Sequence, residues 1–340
     1  SRINRRPLGG GIAVIGIAED GRTITLRFDE TKPHALIAGT TGSGKTWAMR
    51  TVLTQLSLDP NNRLVLIDGK AGAGLGVMRR FPGVVGPLAT DLDSARRALA
   101  WAYSEMRRRF EIIQNEGTND SIHGLPRIFV AIDEVQNMAG KSGDPLLVEI
   151  IRRLVTEGRE VFVHVVVGTQ HPKVEVFGDA ATKANLTIRM ALKVIGAKAS
   201  EIAVGGPTPR ADYLSGHGDS YIVTPDKLPK RVLFAYYAPH ELQRMNVSEP
   251  ELSDWPEFSA EDLGRPLDPR QAPAPAFTPE ELAVSLVNAH MGNGRPALVR
   301  ALEAAGLGTP GSVRAGRLLE TGRKMDDWLK ANDWTLQSEV

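Results

Sequence analysis

The stretch GTTGSGKT, residues 39–46, lies between the short apolar run HALIAG, residues 34–39, and a segment of helical spacing, KTWAMRTVLTQLSL, residues 45–58. A G-x-x-x-x-G-K-[ST] pattern between a strand and a helix tightly constrains the surrounding fold. Backbone N–H groups of Gly39, Thr40, Thr41, Gly42, Ser43 and Gly44 must close around an anion, and side chains at the glycines would obstruct it. The helix that follows turns its positive end toward the same anion. Lys45 is placed to reach the β- and γ-phosphates, and the Thr46 hydroxyl to ligate Mg²⁺. The cofactors implied are ATP and Mg²⁺. A glycine-rich turn matching by chance would lack the strand before it and the helix after it.

Other apolar runs supply the sheet that such a loop requires. RLVLIDGK (63–70), RIFVAIDE (127–134) and VFVHVVVGTQ (161–170) are near-continuous apolar strands with polar C-terminal ends. DLDSARRALAWAYSEMRRRFEIIQ (91–114) and DPLLVEIIRRLVTEGRE (144–160) are helices between them. In the first, Leu99, Ala102, Met106, Phe110 and Ile113 share one face. Further strands are expected over 187–194, 219–223 and 231–237. Apolar strands alternating with helices imply an α/β fold with a mostly parallel sheet covered on both faces. Such a sheet binds ligands at the C-terminal ends of its strands. Before the loop, GIAVIGIAEDGRTITLRF reads as a hairpin turning at Asp20-Gly21.

The strand ends carry the remaining candidates. Asp133 would complete the Mg²⁺ shell, and Glu134 would act as general base on the attacking water. Gln170 could sense the γ-phosphate or orient water, although Thr169-Gln170 also reads as an ordinary polar strand end. Asp68 and Lys70 read equally well as a structural ion pair. Arg159, at the end of the 144–157 helix, could neutralise charge on a neighbouring subunit's phosphate or simply complement the helix dipole.

Composition limits the partners. The 340 residues carry a formal charge of +1, so a nucleic-acid surface must be local. There is no cysteine, which excludes disulfides and thiolate metal sites and fits a reducing compartment. No apolar run approaches the roughly 20 residues of a membrane-spanning helix. A cytoplasmic protein is expected, any membrane association coming from a segment or partner outside this chain.

Four regions emerge: an entry hairpin over 1–33, a nucleotide-binding domain over 34–247, a Pro- and acid-rich linker over 248–277, and a small helical domain over 278–340. The last carries Arg314, Arg317, Arg323 and Lys324 after a turn at 306–311 that precedes its last helix, as in a DNA-binding helix-turn-helix. A helical protein-interaction unit would show the same basic surface.

The blocks PHALIAGTTGSGKT, LVLIDGK, SARRALAWAYSEMRRRFEII, IFVAIDEVQNM, TEGREVFVHVVVGTQHP, TKANLTIRMAL and GHGDSYIV follow one another in the order of the FtsK/SpoIIIE-type DNA translocase motors. The resemblance spans roughly residues 10–245. It implies a RecA-like P-loop NTPase fold, a homo-oligomeric and hexameric ring, and double-stranded DNA as the substrate moved by ATP hydrolysis. It assigns catalytic work to Lys45, Thr46, Asp133, Glu134 and Gln170, and gives Arg159 a role on the neighbour's nucleotide. Lys183 and Lys198 match channel-facing basic positions, and the C-terminal domain faintly resembles the family's winged-helix reader. His171 departs from the pattern, which has arginine after the glutamine, and weakens one DNA phosphate contact. Without the membrane segments of the chromosomal translocases, the chain resembles a stand-alone or trimmed motor from a plasmid, phage or integrative element. Conjugative coupling ATPases, protein-secretion ATPases of the same superfamily and a nucleotide-gated DNA-binding adaptor are the alternative readings.

Overall fold

The computed structural model describes residues 9–134, 144–170 and 180–258, all within Ser1–Pro273, the first of two units into which the chain divides. His171, residues 259–277 of the expected linker, and the 278–340 region with Arg314, Arg317, Arg323 and Lys324 lie outside the described residues.

Alternation along the apolar strands decides the architecture. Strands β3 (Ala35–Ala38), β4 (Asn62–Asp68), β5 (Arg127–Asp133) and β6 (Val163–Thr169) bury both of their faces. Leu36, Val65, Ile67, Val130, Ile132 and Val165 pack on one side of the sheet, with α2 (Leu92–Glu116) and α3 (Pro145–Glu157). Ile37, Leu64, Leu66, Phe129, Ala131 and Val166 pack on the other, with α1 (Lys45–Ser57). Two apolar faces per strand require helices on both, which explains the near-continuous apolar runs.

Among the described residues one sheet of nine strands has the order β2-β1-β9-β8-β7-β3-β6-β5-β4. The strands not yet placed are β1 (Ile12–Ala18), β2 (Thr23–Arg27), β7 (Ile188–Leu192), β8 (Asp219–Thr224) and β9 (Lys227–Phe234). From β7 to β4 every pairing is parallel, and from β7 to β2 every pairing is antiparallel. The hairpin turn falls at Asp20-Gly21, where Gly21 takes φ of 80° and Asp20 Oδ1 accepts from Arg22 N at 3.0 Å. The strand order puts β6 between the strand that feeds the glycine loop and the strand that ends in Asp133.

Local chemistry fixes the helix ends. Asp91 and Ser94 form a capping box at the start of α2, and Gly117 closes it in the left-handed conformation. Asp144 caps α3 by accepting from Leu147 N at 2.8 Å, and its other partner, Arg96, ties α3 to α2. Among the described residues three short α-helices remain: α4 (Ala180–Asn185), α5 (Ala197–Val204) and α6 (Pro239–Arg244).

Residues 248–258, expected as the start of a linker, are a strap laid along the domain. Ser248, Glu251 and Leu252 donate backbone N–H groups to the carbonyls of Arg80, Val84 and Val85. Trp255 is 2% exposed, donates from Nε1 to Pro87 O at 2.8 Å and packs against Trp101. The proline and acid content that suggests a tether conceals this one aromatic anchor. Among the described residues no helix is long and apolar enough to cross a membrane.

His34 and His164 lie in the core beside Phe28 and Phe129, at the N-terminal edge of β3 and β6. Pro33 O contacts His164 Nδ1 at 2.8 Å, and His34 Nδ1 accepts from Val165 N at 3.0 Å. Burial, above all, pushes both imidazoles down to about 3, from an ordinary 6.5. The unfolded chain therefore takes up protons that the fold refuses between those values. Their contribution is complete above about pH 6.5 and declines as pH falls, each histidine adding a slope approaching about 1.4 kcal/mol per pH unit. Urea midpoints should fall between pH 7 and 5, while NMR shows two of the seven imidazoles failing to titrate above about pH 4. Normal titration of all seven would contradict this account of the core.

Candidate nucleotide site

The loop between β3 and α1 is held on three sides. Gly39 N donates to Thr169 O at 3.2 Å, Thr40 N to Lys193 O at 2.9 Å, and Gly218 N to Ser43 O at 2.8 Å. Gly44 has φ of +98°, and a Cβ there would meet Gly218 N at 2.6 Å, so a side chain is excluded by both conformation and space. Gly44 is also the N-cap of α1, with no side-chain cap and no acidic residue in the first turn. The helix thus offers uncompensated backbone donors to the cleft, an arrangement suited to a phosphate.

Lys45 is 4% exposed. Its Nζ pairs with Asp133 Oδ1 and lies 3.0 Å from Glu134 Oε1. Lys70 Nζ lies 3.1 Å from the same Glu134 oxygen, and Gln170 N donates to Glu134 Oε2 at 3.2 Å. Thr41 Oγ1 donates to Gln170 Oε1 at 3.1 Å, which links the loop to the carboxylate through the glutamine. Three adjacent strand ends therefore meet: β3 brings Lys45 through its loop, β5 brings Asp133 and Glu134, and β6 brings Gln170. The close approach depends on Gly168, where a Cβ would lie 2.6 Å from Asp133 Oδ1 and 3.3 Å from Lys45 Nζ.

The two carboxylates differ in character. Burial pushes the Asp133 carboxyl up despite Lys45 beside it. Burial also acts against charge on Glu134, but Lys45 and Lys70 outweigh it and hold that carboxyl below its usual range. Glu134 sits at φ of 54°, unusual for a side chain of its size, and its N–H donates to Gly168 O at 2.9 Å.

The donor set fits Mg²⁺ bound together with a nucleotide. Asp133 Oδ2 is buried and has no hydrogen-bond partner among the described residues, and the half-buried Thr46 lines the same cleft. Among the described residues no group of three or more His, Asp or Glu side chains could cage a metal unaided. A hard cation here would need phosphate oxygens and water to complete its shell. The cleft encloses about 480 Å³, and its far wall is formed by Trp47, His217, Phe234 and Tyr236.

Sequence reasoning missed two parts of this site. Asp68 and Lys70 do not pair: Asp68 accepts from the backbone of Lys70, Gly74 and Leu75, while the Lys70 ammonium turns to Glu134. The parallel register, Asp68 opposite Asp133, makes that reach possible, and only strand order reveals it. The wall from β9 likewise carries no local motif.

The remaining candidates lie away from the cleft. Arg159 follows α3 at the N-terminal end of β6, its side chain 55% exposed and 3.9 Å from Glu160. The seven residues of β6, at about 3.3 Å each, put it ~20 Å from the strand ends that hold Lys45. Lys183 lies beside Arg189 and Lys198; burial first, then these two cations, pushes its ammonium down to about 8. Lys198 is exposed and pairs with Glu201 at 2.9 Å.

A glycine loop opening a helix, with a strand-end carboxylate pair one strand beyond its neighbour, defines a P-loop ATPase domain, built on the parallel half of a mixed sheet. Residues 11–124 match the FtsK/SpoIIIE family. It is 30% identical over 252 residues to the DNA translocase FtsK of Pseudomonas syringae pv. tomato, covering 63% of this chain and 31% of that one. The chain thus spans less than a third of that relative's length. The fold is similar to the cytoplasmic domain of the Thermomonospora curvata type VII secretion ATPase EccC, with TM-score 0.62 and 22% identity over 76% of this chain and 33% of that one. It is also similar to the pCW3 conjugation coupling protein TcpA, solved as a monomer form with ATPγS, at TM-score 0.58 and 21% identity over 72% and 75% of the two chains.

Removing the cation from this cluster should be costly without nucleotide. Lys45→Ala leaves Asp133 buried without its counter-charge, and should lower stability by on the order of 3 kcal/mol at about pH 8. The loss should shrink toward about pH 5, as Asp133 takes up a proton. Urea unfolding at the two pH values measures this; an equal midpoint shift at both would contradict the electrostatic reading.

Proposed function

We propose that this chain is an ATP-driven double-stranded DNA translocase that works as a ring of identical subunits, six in the family's pattern. The observation that carries the proposal is the convergence of Lys45, Asp133, Glu134 and Gln170 on one cleft, in a chain whose relatives include DNA translocases.

ATP enters along the loop from Gly39 to Thr46, and Lys45 exchanges its carboxylate partners for the β- and γ-phosphates. Thr46 and Asp133 would hold Mg²⁺, which would supply positive charge to neutralise the phosphates. Departure of Lys45 raises the basicity of Glu134, which Lys70 and the Gln170 N–H keep in place. Glu134 then takes a proton from the attacking water, and Gln170 reports the γ-phosphate to the loop through Thr41.

Arg159 is too distant to serve its own subunit's nucleotide, but its exposure suits the phosphates of the next. Lys183, Arg189 and Lys198 form the basic group that meets duplex phosphates. The 278–340 region, with Arg314, Arg317, Arg323 and Lys324, supplies further DNA contacts. Phosphate contacts carry no sequence information, so the motor domain runs on any duplex.

ATP turnover should rise several-fold with duplex DNA, and the stimulation should fade steeply with added salt. Glu134→Gln should cut turnover about 100-fold or more while retaining bound nucleotide. Turnover indifferent to all DNA would favour a protein cargo, and stimulation by single strands alone a conjugative role. Full turnover in Glu134→Gln would remove the base assignment. In mixed assemblies, Arg159→Ala subunits should partly restore activity to Lys45→Ala subunits, because each mutant retains the half that the other lacks. Mixtures no more active than their separate components would contradict the shared site.

A further inference from the structure

The far wall of the cleft has no phosphate chemistry of its own. It is aromatic. Trp47, the residue directly after Thr46, lies with its ring centroid 4.6 Å from that of Tyr236, the planes inclined at 51°. Both line the cleft that contains the glycine loop, Lys45 and Gln170. We propose that Tyr236, backed by Trp47, is the stacking surface for the nucleobase, and that the site takes a purine nucleoside triphosphate by ring overlap.

The backbone on either side of Tyr236 is fixed so that its ring faces the cleft. Ala235 N donates to Ile15 O at 2.8 Å, and Thr51 Oγ1 donates to Ala235 O at 2.8 Å. The next residue, Tyr237, is buried, and its hydroxyl accepts from Gln55 Nε2 at 2.6 Å. With Ala235 and Tyr237 turned inward, Tyr236 is turned outward, and it remains 58% exposed. An aromatic ring this exposed, at the edge of a polar cleft, leaves apolar surface without protein cover.

Trp47 is held by its own neighbours. The Arg50 guanidinium lies 4.8 Å from its ring centroid and donates to Gly74 O and Ala73 O. The pair is therefore a backed wall rather than two free rings. The present separation leaves no room for a base between the rings, so the base lies on the open face of Tyr236. Trp47 follows the phosphate-binding residues in the chain, which puts the wall within reach of a nucleotide whose phosphates occupy the loop. Ring overlap ignores the hydrogen-bonding pattern of the base and rewards its area. ATP and GTP should therefore bind within a few-fold of each other, and both more tightly than UTP or CTP.

The inference rests on the nucleotide reading of the loop, and the test separates the two. Calorimetry on the full chain with Mg²⁺ compares ADP with inorganic tripolyphosphate, in wild type and in Tyr236→Ala, Tyr236→Phe and Trp47→Ala. Tyr236→Ala should weaken ADP about tenfold or more and leave tripolyphosphate within about twofold. Tyr236→Phe, which keeps the ring, should stay close to wild type for both ligands. Trp47→Ala should lose ADP affinity selectively, as Tyr236→Ala does. Equal weakening of both ligands in Tyr236→Ala, or an unchanged ADP affinity, overturns the stacking surface while leaving the phosphate site intact. A wild-type chain that binds neither ligand overturns the nucleotide reading and the stacking surface together.

Discussion

The buried contact between Lys45 and the Asp133–Glu134 pair is the interaction on which the rest of this molecule depends. Two carboxylates at the tip of a covered sheet are tolerable only if a cation reaches them, and burial alone would drive both toward the neutral form. Lys45 and Lys70 supply the charge. The lysine that neutralises these carboxylates is also the one a phosphate in the loop would claim.

The sheet makes this economy possible. Parallel strands bring their C-terminal ends to one edge, and the β6 strand between β3 and β5 delivers Gln170 between the loop and the carboxylates. Small residues at the contact points allow the approach: Gly168 beneath Asp133 and Lys45, Gly44 against Gly218. Helices packed on both faces hold the strand ends in register. The antiparallel half of the sheet closes the cleft from the other side, with the end of β9 carrying the aromatic wall.

Much of this was readable in the residues. Glycine spacing, the apolar strand before it and the helical pattern after it specify the loop, because few other conformations satisfy all three. The strand that ends in Asp133-Glu134 is equally plain, since a run of five buried apolar residues, 128–132, closing on two acids needs a reason for those acids. Strand order was not readable, and everything that depends on it was hidden. A structural ion pair with Asp68 suits Lys70 in the sequence as well as a functional role does, yet its ammonium turns to Glu134 on the neighbouring strand. Tyr236 follows an exposed, lysine-containing strand and carries no motif. Residues 248–258 are disguised by composition: proline and acids suggest a free tether, while Trp255 and the backbone bonds of Ser248, Glu251 and Leu252 anchor the segment. Pairings between distant segments leave no period in the sequence, whereas helices, strands and turns do.

The central claim is that Lys45, held here by the carboxylates, passes to the phosphates when a nucleotide binds. An experimental structure with Mg²⁺ and a non-hydrolysable ATP analogue tests it most directly. Lys45 Nζ should lie within hydrogen-bonding distance of the β- and γ-phosphate oxygens, clear of Asp133 Oδ1, with Thr46 and Asp133 around the metal. A nucleotide bound elsewhere, or Lys45 still paired with Asp133 beneath an occupied loop, would contradict the account.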